Sequence, residues 1–282
     1  MTALRLSIFG LALALCLPVR AAPAPKSSPL QSSQASQSFD REHAAWTLLL
    51  KKYVHWNVGG AASSVDYDGF AHDRSAVDAY LATLGRVTPS QFQAWSTADR
   101  KAFLINAYNA ATVELILTKY PDLKSINDLG GWLSTPWKRR FVVLLGKTRS
   151  LDDIEQGMLR KAPEYRDPRV HFAVNCASLG CPALRDEAYV GARLDAQLTD
   201  QTRRFLRDST RNRFIAASRQ LKVSKILDWY GADFAKVGGV ATFLAGYADA
   251  LGMTPAEAVA LHAGRIGIDY LPYDWSLNGW RP

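Results

Sequence analysis

Between Arg100 and Tyr120 the chain carries a helical pattern that is apolar on nearly every side, with Phe103, Leu104, Ile105, Val113, Leu115, Ile116 and Leu117 spread around the cylinder. A helix without a polar face must be buried on most of its surface. The rest of the chain therefore has to wrap around it. The hydroxyl of Thr97 is placed to cap this helix as Asp99 to Lys101 enter its first turn.

The wrapping elements are visible in part. An apolar stripe of Ala44, Leu48 and Leu49 predicts a helix from Asp40 to Tyr53, and a second is expected over Ser75 to Leu84. Val65 to Tyr67 reads as a short extended piece before Gly69. Phe141 to Leu145 and Thr148 to Leu151 read as a hairpin turning at Gly146-Lys147. Ser150 with Asp153 forms a capping-box pattern that opens a helix to Arg160. Val170 to Asn175 reads as a short buried strand, and Ala192 to Leu206 and Val240 to Ala250 as helices. No internal repeat is present. The fold class expected is α+β, one helix-rich domain over 39–282 with a small, mainly antiparallel sheet.

The first residues read differently. Arg5 followed by the apolar run Leu6 to Leu17 is shorter than the roughly 20 residues that span a bilayer and suits a secretory signal. Cleavage is expected after Ala21, so 1–21 is read as a signal peptide. Leu15 stands where a small residue would precede a lipidated Cys16, which argues against a lipoprotein. Residues 22–38, rich in Ala, Pro, Ser and Gln, have no apolar periodicity and read as a disordered tether. Apolar stretches near Phe103 and Val142 are interrupted by Asn106, Asn109, Gly146 and Lys147, so no transmembrane anchor is expected after cleavage. The expected location is the periplasm or the medium.

The formal charge of +8 falls when Arg5 and Arg20 leave with the signal. Basic clusters at Lys138 to Arg140 and from Arg203 to Arg213 would suit nucleic acid. An exported protein meets no genome, so these are read as solvated faces or attraction to an anionic envelope, and no nucleic-acid partner is expected.

The segment Val170 to Pro182 concentrates the reactive groups: His171, Asn175, Cys176 and Cys181 around a Gly-containing loop. Cys176 is the candidate nucleophile and His171 its candidate base. An unbroken strand would point these two residues to opposite faces, so a bulge or turn is required, or a base from elsewhere. Glu155 falls inside the apolar stripe of Leu151, Ile154, Met158 and Leu159 and needs a partner when buried. His171 would supply one, completing a triad, and Arg160 would serve equally as a structural ion pair. Asn106 and Asn109 lie in the most apolar helix. They either tie loops to the core or donate to an oxyanion beside Cys176. No metal or cofactor is expected: Cys-x4-Cys with His171 lacks a fourth zinc ligand. His43, His55, His72 and His262 form no ligand-like spacing and read as surface or helix-end groups. In an oxidising compartment Cys176 and Cys181 could also form a structural disulfide or cycle between dithiol and disulfide, although redox pairs are usually spaced Cys-x-x-Cys.

Phe103 to Asn109, Ser150 to Glu155, Val170 to Cys176, Cys181-Pro182, Ser224 to Tyr230 and Tyr273 to Asn278 together resemble the domain of unknown function 547 family, in order and from about Phe39 to Trp280. The resemblance implies a fold rather than a reaction. It implies that the cysteine at Cys176 recurs while the position of Cys181 can be serine, which favours Cys176 as the working thiol. Gln156 stands where a histidine often follows the family glutamate. Papain-like and transglutaminase-like enzymes are an analogy only. The function expected is a thiol hydrolase or acyltransferase with Cys176, His171 and Glu155, acting on an envelope peptide or small molecule. The alternatives are a non-catalytic envelope interaction domain and a thiol-disulfide redox protein.

Overall fold

Ser96 closes the N-terminus of the long helix, Thr97–Leu117, by accepting a hydrogen bond from the Asp99 amide at 3.0 Å. The cap sits one residue before the expected Thr97. In the computed structural model, which describes residues 38–131 and 134–281, this helix is the axis of the larger of two apolar clusters. The expected signal and, Ser38 apart, the expected tether lie outside the described residues.

Phe103, Leu104, Ile105, Leu115 and Ile116 are completely buried. Trp46 and Leu50 from the helix Ala44–Tyr53, and Val77, Tyr80 and Leu84 from Arg74–Gly85, share their cluster. Each such side chain stabilises the fold by about 1.5–3 kcal/mol. His43 stands at a helix end, as one of its two expected placements had it, capping Ala44–Tyr53, but not at the surface. It is buried, its ring edge-on to Phe39 at 5.2 Å, with Nδ1 2.7 Å from the Tyr80 hydroxyl.

The expected hairpin forms between Val142–Leu144 and Lys147–Arg149 and turns at Gly146, whose φ is +72°. The Ser150 capping box is present, but the helix it opens is α-helical only over Leu151–Ile154 and widens into a π-turn over Glu155–Leu159. Single π-turns are found disproportionately at functional sites. Leu194–Arg207 is helical as expected, and Val240–Ala245 covers only the first part of the predicted span.

Val170 to Asn175 is not a strand. Pro168 at the first helical position and the Asp167 side chain, which accepts from the Arg169 amide, start a 3-10 helix over Pro168–Phe172. The alternation of faces expected between His171 and Cys176 therefore does not apply.

A second apolar cluster gathers Phe172, Phe205, Leu221, Leu227, Phe234, Leu244 and Leu261. Its sheet pairs Arg213–Ile215 antiparallel with Gln220–Ser224, which pairs parallel with Gly267–Leu271. Phe39–Pro282 form one compact unit of helix-rich α+β class, with small and mostly antiparallel sheets. No helix among the described residues is long and apolar enough to cross a membrane.

Candidate active site

Cys176 stands at a turn held by amides. The Asn175 side chain accepts from the Ala177 amide at 2.9 Å and donates to the Pro182 carbonyl at 2.7 Å, closing the loop between the two cysteines. Ala177 adopts φ +58°, a left-handed conformation that a residue with a Cβ takes up at a cost. Beyond it, the Leu179 and Gly180 amides donate to the Ser276 and Asp274 carbonyls at 2.8 Å each. Gly180 has to be glycine here, since a Cβ would lie 2.9 Å from the Tyr273 ring and 3.0 Å from the Asp274 backbone.

This stitching delivers Tyr273 to the thiol. The Tyr273 hydroxyl lies 2.9 Å from Cys176 Sγ and 2.9 Å from the Ser178 hydroxyl, which is itself 3.4 Å from Sγ. Cys181 is buried behind, its Sγ accepting from the Cys176 amide at 2.8 Å, and both cysteines are free thiols. Burial pushes the Cys176 thiol up, but hydrogen bonding to Cys181, Ser178 and Tyr273 outweighs it and leaves the thiol below the ordinary cysteine range. Burial and the neighbouring Cys176 push Cys181 the other way. The two thiols are thus unequal, and only Cys176 is partly exposed.

Glu155 and His171 are near neighbours but do not bond to each other. Glu155 Oε1 accepts from the Tyr230 hydroxyl at 2.5 Å and from Gln156 Nε2 at 3.2 Å. The Tyr230 ring stacks on His171 at 3.8 Å, and His171 Nε2 meets Asp233 Oδ2 at 2.9 Å. Arg160 binds the same Asp233 oxygen at 2.6 Å and also reaches Gln156, so it is not the ion-pair partner of Glu155. The hydrogen bond from His171, with those from Arg160 and Lys236, holds the Asp233 carboxyl well below the usual carboxylate range. At His171 burial outweighs the attraction of Asp233 and Glu155 and keeps its pKa low. A neutral ring that donates from Nε2 carries its lone pair on Nδ1, and that atom is buried without a partner among the described residues.

The hydrogen bonds expected of the triad are therefore not formed. The carboxylate that orients His171 is Asp233, and no hydrogen bond joins His171 to Cys176. Asn106 and Asn109 are both committed elsewhere: Asn106 exchanges two hydrogen bonds with the Tyr189 backbone at 2.7 and 3.0 Å. Asn109 donates to the Ala173 carbonyl at 3.0 Å and accepts from the Asn175 amide at 2.8 Å. Neither lines the cleft. Tyr108, between them, does, and its hydroxyl makes no hydrogen bond among the described residues.

Cys176, His171, Glu155 and Tyr108 share a cleft of about 330 Å³ where the two apolar clusters meet, Val174 coming from one and Ile226 from the other. Trp137, Trp229 and Trp275 form its rim, with Trp229 and Trp275 stacked at 5.7 Å. The residues from 92 to 206 match the family model described as Protein of unknown function, DUF547. Residues 92–206 belong to the DUF547 family. No curated protein and no solved structure matches the chain. The DUF547 segment carries Tyr108, Glu155, His171 and Cys176, while Tyr230, Asp233 and Tyr273 come from beyond it. Tyr230 and Tyr273 stand in two of the blocks that carried the resemblance, so a signal for them existed. Asp233 and Ser178 had none beyond their residue type. No cluster of three or more His, Cys, Asp or Glu side chains able to hold a metal occurs among the described residues.

Proposed function

We propose that the chain is an exported thiol enzyme that forms an acyl thioester on Cys176, a hydrolase or acyltransferase for peptide, amide or thioester bonds of the cell envelope. The observation that carries the reading is the Cys176 sulfur at the cleft wall with the Tyr273 and Ser178 hydroxyls beside it at 2.9 and 3.4 Å. Such donors favour the thiolate, which is the nucleophile.

In the first step the thiol proton passes to His171 Nδ1 as sulfur attacks the carbonyl carbon and the C–S bond forms. The Tyr108 hydroxyl takes the oxyanion role considered for Asn106 and Asn109, because theirs are occupied and its own is open. His171 then returns its proton to the leaving nitrogen, oxygen or sulfur as that bond breaks. Water or another acceptor resolves the thioester, losing a proton to His171, which passes it to the departing Cys176 sulfur. Asp233 holds the ring in the tautomer this requires. A direct His171 to Cys176 contact is not needed in the free enzyme, since catalytic hydrogen bonds often tighten only around substrate.

A thiol-disulfide protein is the second reading, favoured by the 2.8 Å contact between the Cys176 amide and Cys181 Sγ, which sets the two thiols side by side. Iodoacetamide labelling across pH, with and without prior reductant and with the two cysteines read separately by mass spectrometry, tests both. Labelling of Cys176 well below pH 8, moved to higher pH by Tyr273→Phe, is the expected result. Labelling of neither cysteine until reduction would replace the enzyme by the redox or structural reading. An ordinary cysteine profile at Cys176, unmoved by Tyr273→Phe, would leave the non-catalytic interaction domain.

A further inference from the structure

The chain carries a formal charge of +8, yet no lysine or arginine is among the described residues that line the cleft. Its ionisable walls are Asp152, Glu155, His171, the two thiols and three tyrosines. Glu155 is only 6% exposed and has no cationic partner among the described residues. Its Oε1 is taken by Tyr230 and Gln156, while Oε2 makes no hydrogen bond and is not sealed from solvent. Arg160, whose guanidinium lies over the Tyr230 ring, is bound by Asp233 and Gln156 instead. The Asp152 side chain makes neither a hydrogen bond nor an ion pair among the described residues. A buried carboxylate left this way is costly in the empty protein and attracts a cation strongly where the dielectric is low. The π-turn that begins at Glu155 is the backbone irregularity that places it.

The rim has matching chemistry. Trp137 and Trp275 meet edge to face at 5.6 Å, Trp229 and Trp275 stack, and Trp229 is 45% exposed at the mouth. Indole faces are the strongest side-chain partners for ammonium groups, quaternary ones included. An anionic ligand would meet two carboxylates and a thiolate with no countercharge in the wall.

We propose that the cleft takes a substrate bearing a positively charged amino group, received by Glu155 and Asp152 beneath the rim of Trp137, Trp229 and Trp275. The inference deepens the reading of Cys176 as the working thiol and rests on it. A cation seated there also favours the thiolate beside it, so binding the substrate activates the nucleophile that attacks it.

The test uses the whole protein and two independent readings. In the first, Cys176 is modified by a trimethylammonium-ethyl and by a sulfonatoethyl methanethiosulfonate. In each case the thiolate attacks the sulfenyl sulfur, the S–S bond forms and methanesulfinate leaves. With each rate divided by that of a small free thiol, the cationic reagent should be preferred by about tenfold or more. Glu155→Gln should remove most of the preference and Asp152→Asn part of it. The Asp152 side chain makes no hydrogen bond or ion pair among the described residues and asparagine keeps its shape, so this variant separates lost charge from lost fold. In the second reading, tryptophan fluorescence is titrated with 1,5-diaminopentane and with glutarate, and only the diamine should perturb the rim. A Cys176 that labels readily with neutral iodoacetamide but shows no charge preference and no diamine response overturns the inference and leaves the thiol enzyme standing. Diamine binding without an activated thiol overturns the thiol enzyme and retains the cation site.

Discussion

Asn106 and Asn109 on the long helix, and Glu155 and His171 across the cleft, are withdrawn from water to nearly the same degree, between 1% and 6% exposed. They differ in what meets them. Each asparagine both donates and accepts through its amide, tying the backbone at Tyr189, Ala173 and Asn175 to the core. Glu155 and His171 each satisfy one atom and leave another, Oε2 and Nδ1, without a hydrogen-bond partner among the described residues. Buried polar groups that are fully paired hold a fold together, and those left half paired are where a ligand or a proton has something to meet. All four looked alike as polar residues set in apolar runs, helical for Asn106, Asn109 and Glu155 and strand-like for His171.

The strongest way to break this contrast is to remove one member from each side. Asn109→Ala strips the Asn175 amide and the Ala173 carbonyl of buried partners and should cost about 3 kcal/mol or more in chemical denaturation. Glu155→Gln keeps an oxygen for Tyr230 and should cost about 1 kcal/mol or less. Equal losses would mean that Glu155 is as structural as the asparagines.

His43 sharpens the same point through pH. Its neutral ring is satisfied by the Tyr80 hydroxyl, and burial lowers its pKa to about 4 from the ordinary 6.5 despite the attraction of Asp40 and Asp99. The unfolded chain therefore binds a proton that the folded chain refuses between these values. Stability attributable to His43 is fully present above pH 6.5, declines as pH falls, and is lost below about pH 4, a total of about 3 kcal/mol. His171, also lowered by burial, acts in the same direction. Unfolding free energies at pH 7, 5.5 and 4 should show the decline, and His43→Gln should flatten it. A decline unchanged in that variant would move the cause to other groups.

What could be read in advance follows the range of the interactions concerned. The long helix, the Ser150 capping box and the turn at Gly146 are set by near neighbours, and each formed close to its expected place. Val170 to Asn175 misled because a short apolar run suits a strand or a tight helix alike, and Pro168 with the Asp167 cap decided it. The parallel pairing of Gln220–Ser224 with Gly267–Leu271 joins segments separated by several helices and had no local signature. At the site, the apolar stripe placed Glu155 in the interior, and the cysteine loop was recognisable from its residue types. Which partners they meet was not: Tyr230 and Tyr273 stood in the blocks of the resemblance without their roles, Asp233 and Tyr230 reach His171 and Glu155 from a distant helical turn, and Tyr273 reaches Cys176 only because the Leu179 and Gly180 amides stitch its segment down.

The smallest effect on stability is expected at Ala177, and it isolates the geometry of the thiol from the strength of the fold. Glycine would relieve the left-handed strain at φ +58° but would also enlarge the freedom of the unfolded chain. The two terms nearly cancel, so Ala177→Gly should change the unfolding free energy by less than about 1 kcal/mol. The turn itself would be less well determined, because the Asn175 side chain that accepts from the Ala177 amide would then act on a backbone with more accessible conformations. Cys176 Sγ would spend less time beside the Tyr273 and Ser178 hydroxyls, and its iodoacetamide profile should move toward that of an ordinary cysteine. An unchanged profile in an equally stable variant would show that the hydrogen-bonded loop holds the thiol without help from the strained residue.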